Sequence, residues 1–174
     1  MIKKGFKYLK HFGLKEFLVR LGERMEPEEV PYGPWYEKYK PTEAELVRQK
    51  KWKPQSPVKI SVVVPAYRTP ELFLRQMIQS VQAQSYENWE LCIANASPDD
   101  RQMSDVLMEY TKKDERIQVK NLTANNSISE NSNEAMHMVT GEFIGLLDHD
   151  DILAPDALYQ VVRALETEPQ ADVF

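Results

Sequence analysis

The run Ile60-Ser61-Val62-Val63-Val64-Pro65 constrains this chain more than any other segment. It is dominated by β-branched side chains and hardly alternates between apolar and polar residues, the pattern of a strand covered on both faces of a parallel sheet. Thr69-Pro70 then offers an N-cap followed by proline at the first helical position, and Leu72, Met77, Ile78 and Val81 supply an apolar face up to about Gln84. Trp89 to Ala94 reads as a second short apolar strand, and Met103, Val106, Leu107 and Tyr110 mark a helix from about Arg101 to Lys112. A third strand is expected at Ile117-Gln118-Val119, a helix from about Ser129 to Met138, and a fourth strand over Glu142 to Leu147. A last helix is expected from Pro155, with Leu158, Val161, Val162 and Leu165 facing inward. Strand alternating with helix predicts an α/β sandwich with a mainly parallel sheet, in which ligands bind outside the carboxyl ends of the strands.

That rule singles out Asp148-His149-Asp150-Asp151, which follows the fourth strand. Three carboxylates this close repel one another, so a cation or a proton has to compensate them. Mg²⁺ or Mn²⁺ takes oxygen ligands and leaves positions open for phosphate oxygens, which makes Asp148, Asp150 and Asp151 candidate metal ligands. The plainer reading is that one of them caps the next helix and the others are solvated. His149 is expected to turn away from the ligands, since alternate residues at a strand end point in opposite directions. Two other loops are expected at the same edge, Pro65-Ala66-Tyr67-Arg68 and Asn95-Ala96-Ser97. There Tyr67 would stack on a base, Asn95 would reach a base edge, and Arg68 would meet phosphate.

The 174 residues suit one domain with an appendage, and a net charge of -5 argues against a nucleic-acid partner. Cys92, the single cysteine, lies in the apolar run Leu91-Cys92-Ile93 and reads as a buried hydrophobe. The boundary is expected at 56/57, with residues 1–56 as appendage and 57–174 as the α/β unit. Residues 1–25 carry seven basic side chains against two acidic ones, with Ile2, Phe6, Leu9, Phe12, Phe17, Leu18 and Leu21 at roughly helical spacing. Two readings stand for this stretch: a helix lying on an anionic membrane surface, or a helix packed on the domain or on a partner. Glu26 to Tyr39, rich in proline and aromatics, predicts an extended wrapping segment, and Thr42-Glu43-Ala44-Glu45 a capping box opening a helix to about Trp52. No apolar run is long enough to span a bilayer and no signal peptide is evident, so the expected compartment is cytoplasmic, with peripheral contact at the inner face of the cell membrane if residues 1–25 bind lipid.

From Lys59 to Phe174 the ordered motifs resemble family 2 glycosyltransferases of the GT-A fold, which build bacterial surface polysaccharides. The likeness rests on Ile60 to Tyr67, on Ser80 and Gln84 ahead of Trp89-Glu90-Leu91, on Asn125 with Ile128-Ser129 and Asn133, on Thr140-Gly141-Glu142-Phe143, and on Asp148-His149-Asp150-Asp151. It implies transfer of a sugar, with inversion, from a UDP- or dTDP-sugar to a saccharide or lipid-linked saccharide acceptor, assisted by Mg²⁺ or Mn²⁺. By that likeness Pro65, Ala66 and Tyr67 line the base pocket, Asp148 faces the ribose or metal, and Asp150 is the main metal ligand; Arg68, Asn95 and Asn133 are further residues expected to bind the nucleotide sugar. The chain departs from the family in having Ala94-Asn95 where an aspartate is common after the second strand, which leaves nucleotide preference open. The family's catalytic base is an acidic residue further along, so it is expected downstream of Phe174, and Ala171 to Phe174 reads as the start of another strand. A nucleotidyltransferase is the competing enzyme reading, although Pro65 to Pro70 lacks a glycine-rich loop. A receiver-like Mg²⁺-binding module would need a phosphoacceptor aspartate and a separate lysine, and neither is evident.

Overall fold

The computed structural model describes residues 13, 14 and 31–173, which divide into two compact units, Met1–Lys40 and Pro41–Phe174. The basic amphipathic stretch 1–25 lies outside the described residues except for Gly13 and Leu14. In the first unit the segment expected to be extended forms helix α1, Tyr32–Tyr39. Its aromatics fall at helical spacing and pack on one another, with ring centroids 5.8 Å apart for Tyr32 and Tyr36 and 5.5 Å apart for Trp35 and Tyr39. Contacts between neighbours three and four residues apart, which an extended chain does not offer, override the proline-rich composition.

The second unit begins at Pro41, earlier than the expected 56/57 boundary. Helix α2, Glu43–Lys51, opens with the expected capping box between Thr42 and Glu45. It and the following linker are tied into this unit: Trp52 meets Tyr159 edge-on at 5.1 Å, and the backbone N–H of Gln55 donates to Glu166 Oε1 at 2.8 Å. The remaining elements are β1 (Ile60–Ala66), α3 (Glu71–Gln82), β2 (Trp89–Asn95), α4 (Arg101–Lys113), β3 (Ile117–Asn121), α5 (Ile128–Met136), β4 (Phe143–Leu146) and α6 (Ala157–Thr167). Beyond shifts of one or two residues at the ends of α5 and β4, three features differ from expectation. Thr69 does not cap α3; its buried hydroxyl has no partner and Pro70 occupies the cap position. The last helix starts at Ala157, two residues past the proline, and no strand forms from Ala171 to Val173.

All pairings in the sheet are parallel and the strand order is β3-β2-β1-β4. Ile60, Val62 and Val64 face one layer with Leu74, Met77, Ile78, Val106, Leu107, Leu158 and Val162, while Val63, Cys92 and Ala94 face the other with Ala135 of α5. Both central strands are thus covered on both sides, which is why β1 reads as a continuous apolar run. Burial pushes the Cys92 thiol up to about 11, consistent with an inert core cysteine.

One buried charge crosses this sheet. Glu90 on β2 is 1% exposed, and it lies 2.5 Å from Lys59 Nζ. Its carboxylate accepts from Ser61 Oγ at 2.6 Å, from the Thr140 backbone N–H at 2.6 Å and from Thr140 Oγ1 at 2.8 Å. Burial pushes the carboxyl up, but these hydrogen bonds outweigh it and hold the group down at about 2. The Gly141 N–H completes the arrangement by donating to Ser61 Oγ at 2.9 Å. The segment entering β4 is therefore fixed to β1 and β2 before the strand begins.

Candidate functional site

Because β4 returns to pair with β1 after the chain has moved outward through β2 and β3, the strand order reverses between β1 and β4. The carboxyl ends of two parallel strands diverge at such a switch point and leave a crevice. A cleft of about 300 Å³ lies there, lined by Pro65 and Tyr67 after β1, by Asp148, His149 and Asp150 after β4, and by Asn125, Asn126, Ile128 and Asn131 at the start of α5.

Each wall is held from behind. Ser127 and Glu130 form a capping box that fixes the first turn of α5. Asn131, 4% exposed, donates through Nδ2 to Asn125 Oδ1 at 2.9 Å and accepts the Asn126 N–H at 3.3 Å. The acidic turn closes with the Asp151 N–H donating to the Asp148 carbonyl at 3.2 Å. Behind it, the Leu153 N–H donates to Ser80 Oγ at 3.1 Å, Gln84 Nε2 donates to the Ala154 carbonyl at 2.7 Å, and Gln84 Oε1 accepts the Leu158 N–H at 3.0 Å. Ser80 and Gln84 therefore position the aspartates from the back of the sheet without touching the cleft.

The match to the family described as glycosyl transferase family 2 runs over residues 61–174, more than half of the chain and every element that builds the cleft. The chain belongs to glycosyl transferase family 2. It is 45% identical over 115 residues to the uncharacterized protein y4gI of Sinorhizobium fredii, covering 66% of this chain and 13% of that protein. It is 30% identical over 111 residues to the O-antigen biosynthesis protein RfbC of Myxococcus xanthus, covering 64% and 9%. It is 33% identical over 107 residues to the putative teichuronic acid biosynthesis glycosyltransferase TuaG of Bacillus subtilis, covering 62% and 40%. The chain spans from roughly a tenth to two fifths of the length of these relatives. Among solved structures, S. aureus TarS in complex with UDP-GlcNAc superposes with a TM-score of 0.58 at 23% identity, over 63% of this chain and 31% of that one. The mannosyltransferase PcManGT of Pyrobaculum calidifontis, in complex with GDP-Man and Mn²⁺, gives 0.56 at 20% identity, over 69% and 38%. At such identities the likeness shows the fold, which is GT-A.

Within this family 2 chain the expected site residues separate into two groups. Pro65, Tyr67, Asp148 and Asp150 meet at the cleft, joined by His149, which had been expected to turn away. The residues of the tight turn at 149–150 do not keep the alternation of a strand, because β4 has already ended at Leu146. Ala66, Asn95, Arg68, Asn133 and Asp151 are not among the residues lining the cleft. Ala66 is wholly buried in the core. Asn95 is also wholly buried; its Oδ1 accepts the Ser97 N–H at 2.9 Å and its Nδ2 donates to Asn121 Oδ1 at 2.9 Å, so its amide shapes a turn instead of meeting a base. Arg68 has φ of 46°, a conformation unusual for a residue with a side chain, and its guanidinium sits 5.4 Å from the centre of the Tyr67 ring. Asn133 is exposed on α5 and Asp151 is exposed beyond the turn. No group of three metal-ligating side chains converges among the described residues, and two carboxylates, Asp148 and Asp150, share the cleft. Two hard oxygen donors opening on a cavity still suit Mg²⁺ or Mn²⁺, which commonly bind through one or two carboxylates plus substrate phosphates. Asn126 and Asn131 are lining residues that were not singled out from the sequence, where the asparagine-rich run before α5 is their trace, and Ile128, part of the motif set behind the family likeness, lines the cleft with them.

Proposed function

We propose that this chain forms the nucleotide-sugar-binding half of an inverting glycosyltransferase, and the observation that carries the proposal is the meeting of Tyr67, Asp148 and Asp150 at the β1/β4 switch point. The UDP-GlcNAc and the GDP-Man with Mn²⁺ named for the two structural neighbours support a sugar nucleotide as ligand. In this reading Tyr67, 41% exposed beside Pro65, presents its ring to the base. Asn125 and Asn126 offer amides to the ribose or base edge, and the first turn of α5 turns its free N–H groups toward negative charge. Asp148 and Asp150 hold a divalent ion, which when bound neutralises charge building on the departing diphosphate.

Inversion requires a general base within hydrogen-bond reach of the acceptor hydroxyl, on the face opposite the leaving group. Asp148 and Asp150 are the only carboxylates among the cleft-lining residues, and both are assigned to the diphosphate side. The base and the acceptor surface are therefore assigned to the region of the longer relatives that this chain does not cover, and the acceptor to a saccharide or lipid-linked saccharide. The isolated chain then binds donor nucleotide and transfers little. Calorimetry with UDP, dTDP and GDP, each with and without Mn²⁺, tests this. The expected result is a metal-dependent heat for one nucleotide that Asp150→Ala abolishes. Binding that ignores both the metal and Asp150 would overturn the assignment.

A further inference from the structure

The residue type at Arg68 is not the one its backbone favours. Its φ of 46° lies in the left-handed region, where a side chain costs free energy that glycine avoids and asparagine largely avoids. The surroundings impose that conformation. The Arg68 N–H donates to Ser97 Oγ at 2.8 Å and the Ala96 N–H to the Ala66 carbonyl at 2.9 Å, which joins the turn after β1 to the turn after β2. Ser97 is 1% exposed and is held in its turn, since its N–H donates to Asn95 Oδ1 while Asn95 Nδ2 donates to Asn121 Oδ1. Glycine or asparagine in this place would close the same turn at lower cost. Strain of this kind collects at ligand sites, where the side chain it presents does something that the fold does not require.

The arginine side chain reaches Tyr67. Its guanidinium lies over the Tyr67 ring, 5.4 Å from the centroid and within the range of a cation–π contact. Among the described residues no carboxylate pairs with it, so no anion competes with the ring for the charge. Tyr67, 41% exposed, lines the donor cleft, whereas Arg68 does not. An exposed ring must give up rotamer freedom before a base can stack on it, and a partner already holding the ring removes part of that cost.

We propose that Arg68 is a positioning residue for the donor nucleotide: it holds the Tyr67 ring from one face so that the other receives the base, and it makes no contact with the diphosphate. This rests on the nucleotide-sugar reading of the cleft. A double-mutant cycle on the full chain tests it, with UDP, dTDP and GDP each titrated calorimetrically in the presence of Mn²⁺. Asparagine keeps the left-handed backbone cheaply, so Arg68→Asn should melt at or above the wild-type Tm and bind the preferred nucleotide about threefold more weakly. Tyr67→Leu removes the π face and should weaken binding about tenfold. In that background Arg68→Asn should weaken it no further, because the ring through which it acts is gone. An equal loss from Arg68→Asn with and without the ring would make Arg68 a direct phosphate contact and overturn the proposal. So would an unchanged affinity in Arg68→Asn, or a lower Tm, which would place the role of the residue in the fold. Binding that Asp150→Ala abolishes and Arg68→Asn leaves alone sinks this proposal and spares the cleft, whereas a wild-type chain that binds none of the three nucleotides overturns both.

Discussion

At Gly141 an added Cβ would lie 2.5 Å from the Lys59 carbonyl oxygen and 2.6 Å from Ser61 Oγ, closer than real side chains approach backbone. The neighbours cannot yield, because Ser61 is hydrogen-bonded to Glu90 and the Lys59 carbonyl accepts the Glu142 N–H at 2.9 Å. Gly141→Ala should therefore cost about 1–3 kcal/mol, the range for overpacking a filled interior, measurable by urea unfolding. Glu90 gives a pH-dependent counterpart. Its carboxyl is held at about 2 in the folded chain against an ordinary 4.5. A depressed folded pKa contributes stability above the unfolded value and loses it as pH falls toward the folded one, so the contribution is present above about 4.5 and fades toward pH 2. Thermal melts should show Glu90→Gln well below wild type at neutral pH, with the gap narrowing through that window. A gap independent of pH would mean that the ionised form contributes nothing.

Among the elements, the acidic turn depends on a helix it does not belong to. Ser80 and Gln84, at the end of α3, hold the segment from Leu153 to Leu158, and Gln84 is only 1% exposed. Gln84→Met keeps the volume but strands the Ala154 carbonyl and the Leu158 N–H, so it should cost about 1–3 kcal/mol and weaken metal-dependent nucleotide binding although residue 84 is outside the cleft. Denaturation and calorimetry on the same sample would check both halves. This clamp also shows where reading a sequence stops. The places of β1, β2 and helices α2 to α6 are legible because burial on two faces, or on one, imprints a local period. The aspartates stand out because charge repulsion makes their crowding improbable without a purpose. Asn95 misleads for a related reason: an asparagine after a strand can meet a ligand or stabilise its own turn, and only the positions of Ser97 and Asn121, brought close by folding, decide between the two. His149 and Asn131 reach the cleft through a tight turn and a capped helix start, whose directions no periodicity encodes.

For the molecule as a whole, the return of β4 to the side of β1 decides where a ligand binds, since it sets the tyrosine of one loop against the aspartates of another. No local pattern in the chain specifies that return; it follows from covering both faces of the sheet while the Glu90 network ties the segment before β4 to β1 and β2. A ligand that needs both loops binds the folded state alone, and at a concentration one hundred times its Kd it should add about 2.7 kcal/mol of stability. For a folding unit of this size that is a rise in Tm of roughly 5–12 °C. Wild type with nucleotide and Mn²⁺ should show the rise and lose it on chelation of the metal. Asp150→Ala should start near the wild-type Tm, its side chain being exposed, and show no rise. Gly141→Ala should start lower and still rise, because its fault lies at the opposite end of β4 from the cleft. If instead Gly141→Ala loses the rise and Asp150→Ala keeps it, nucleotide binding depends on how the sheet is packed and not on the carboxylates at the switch point.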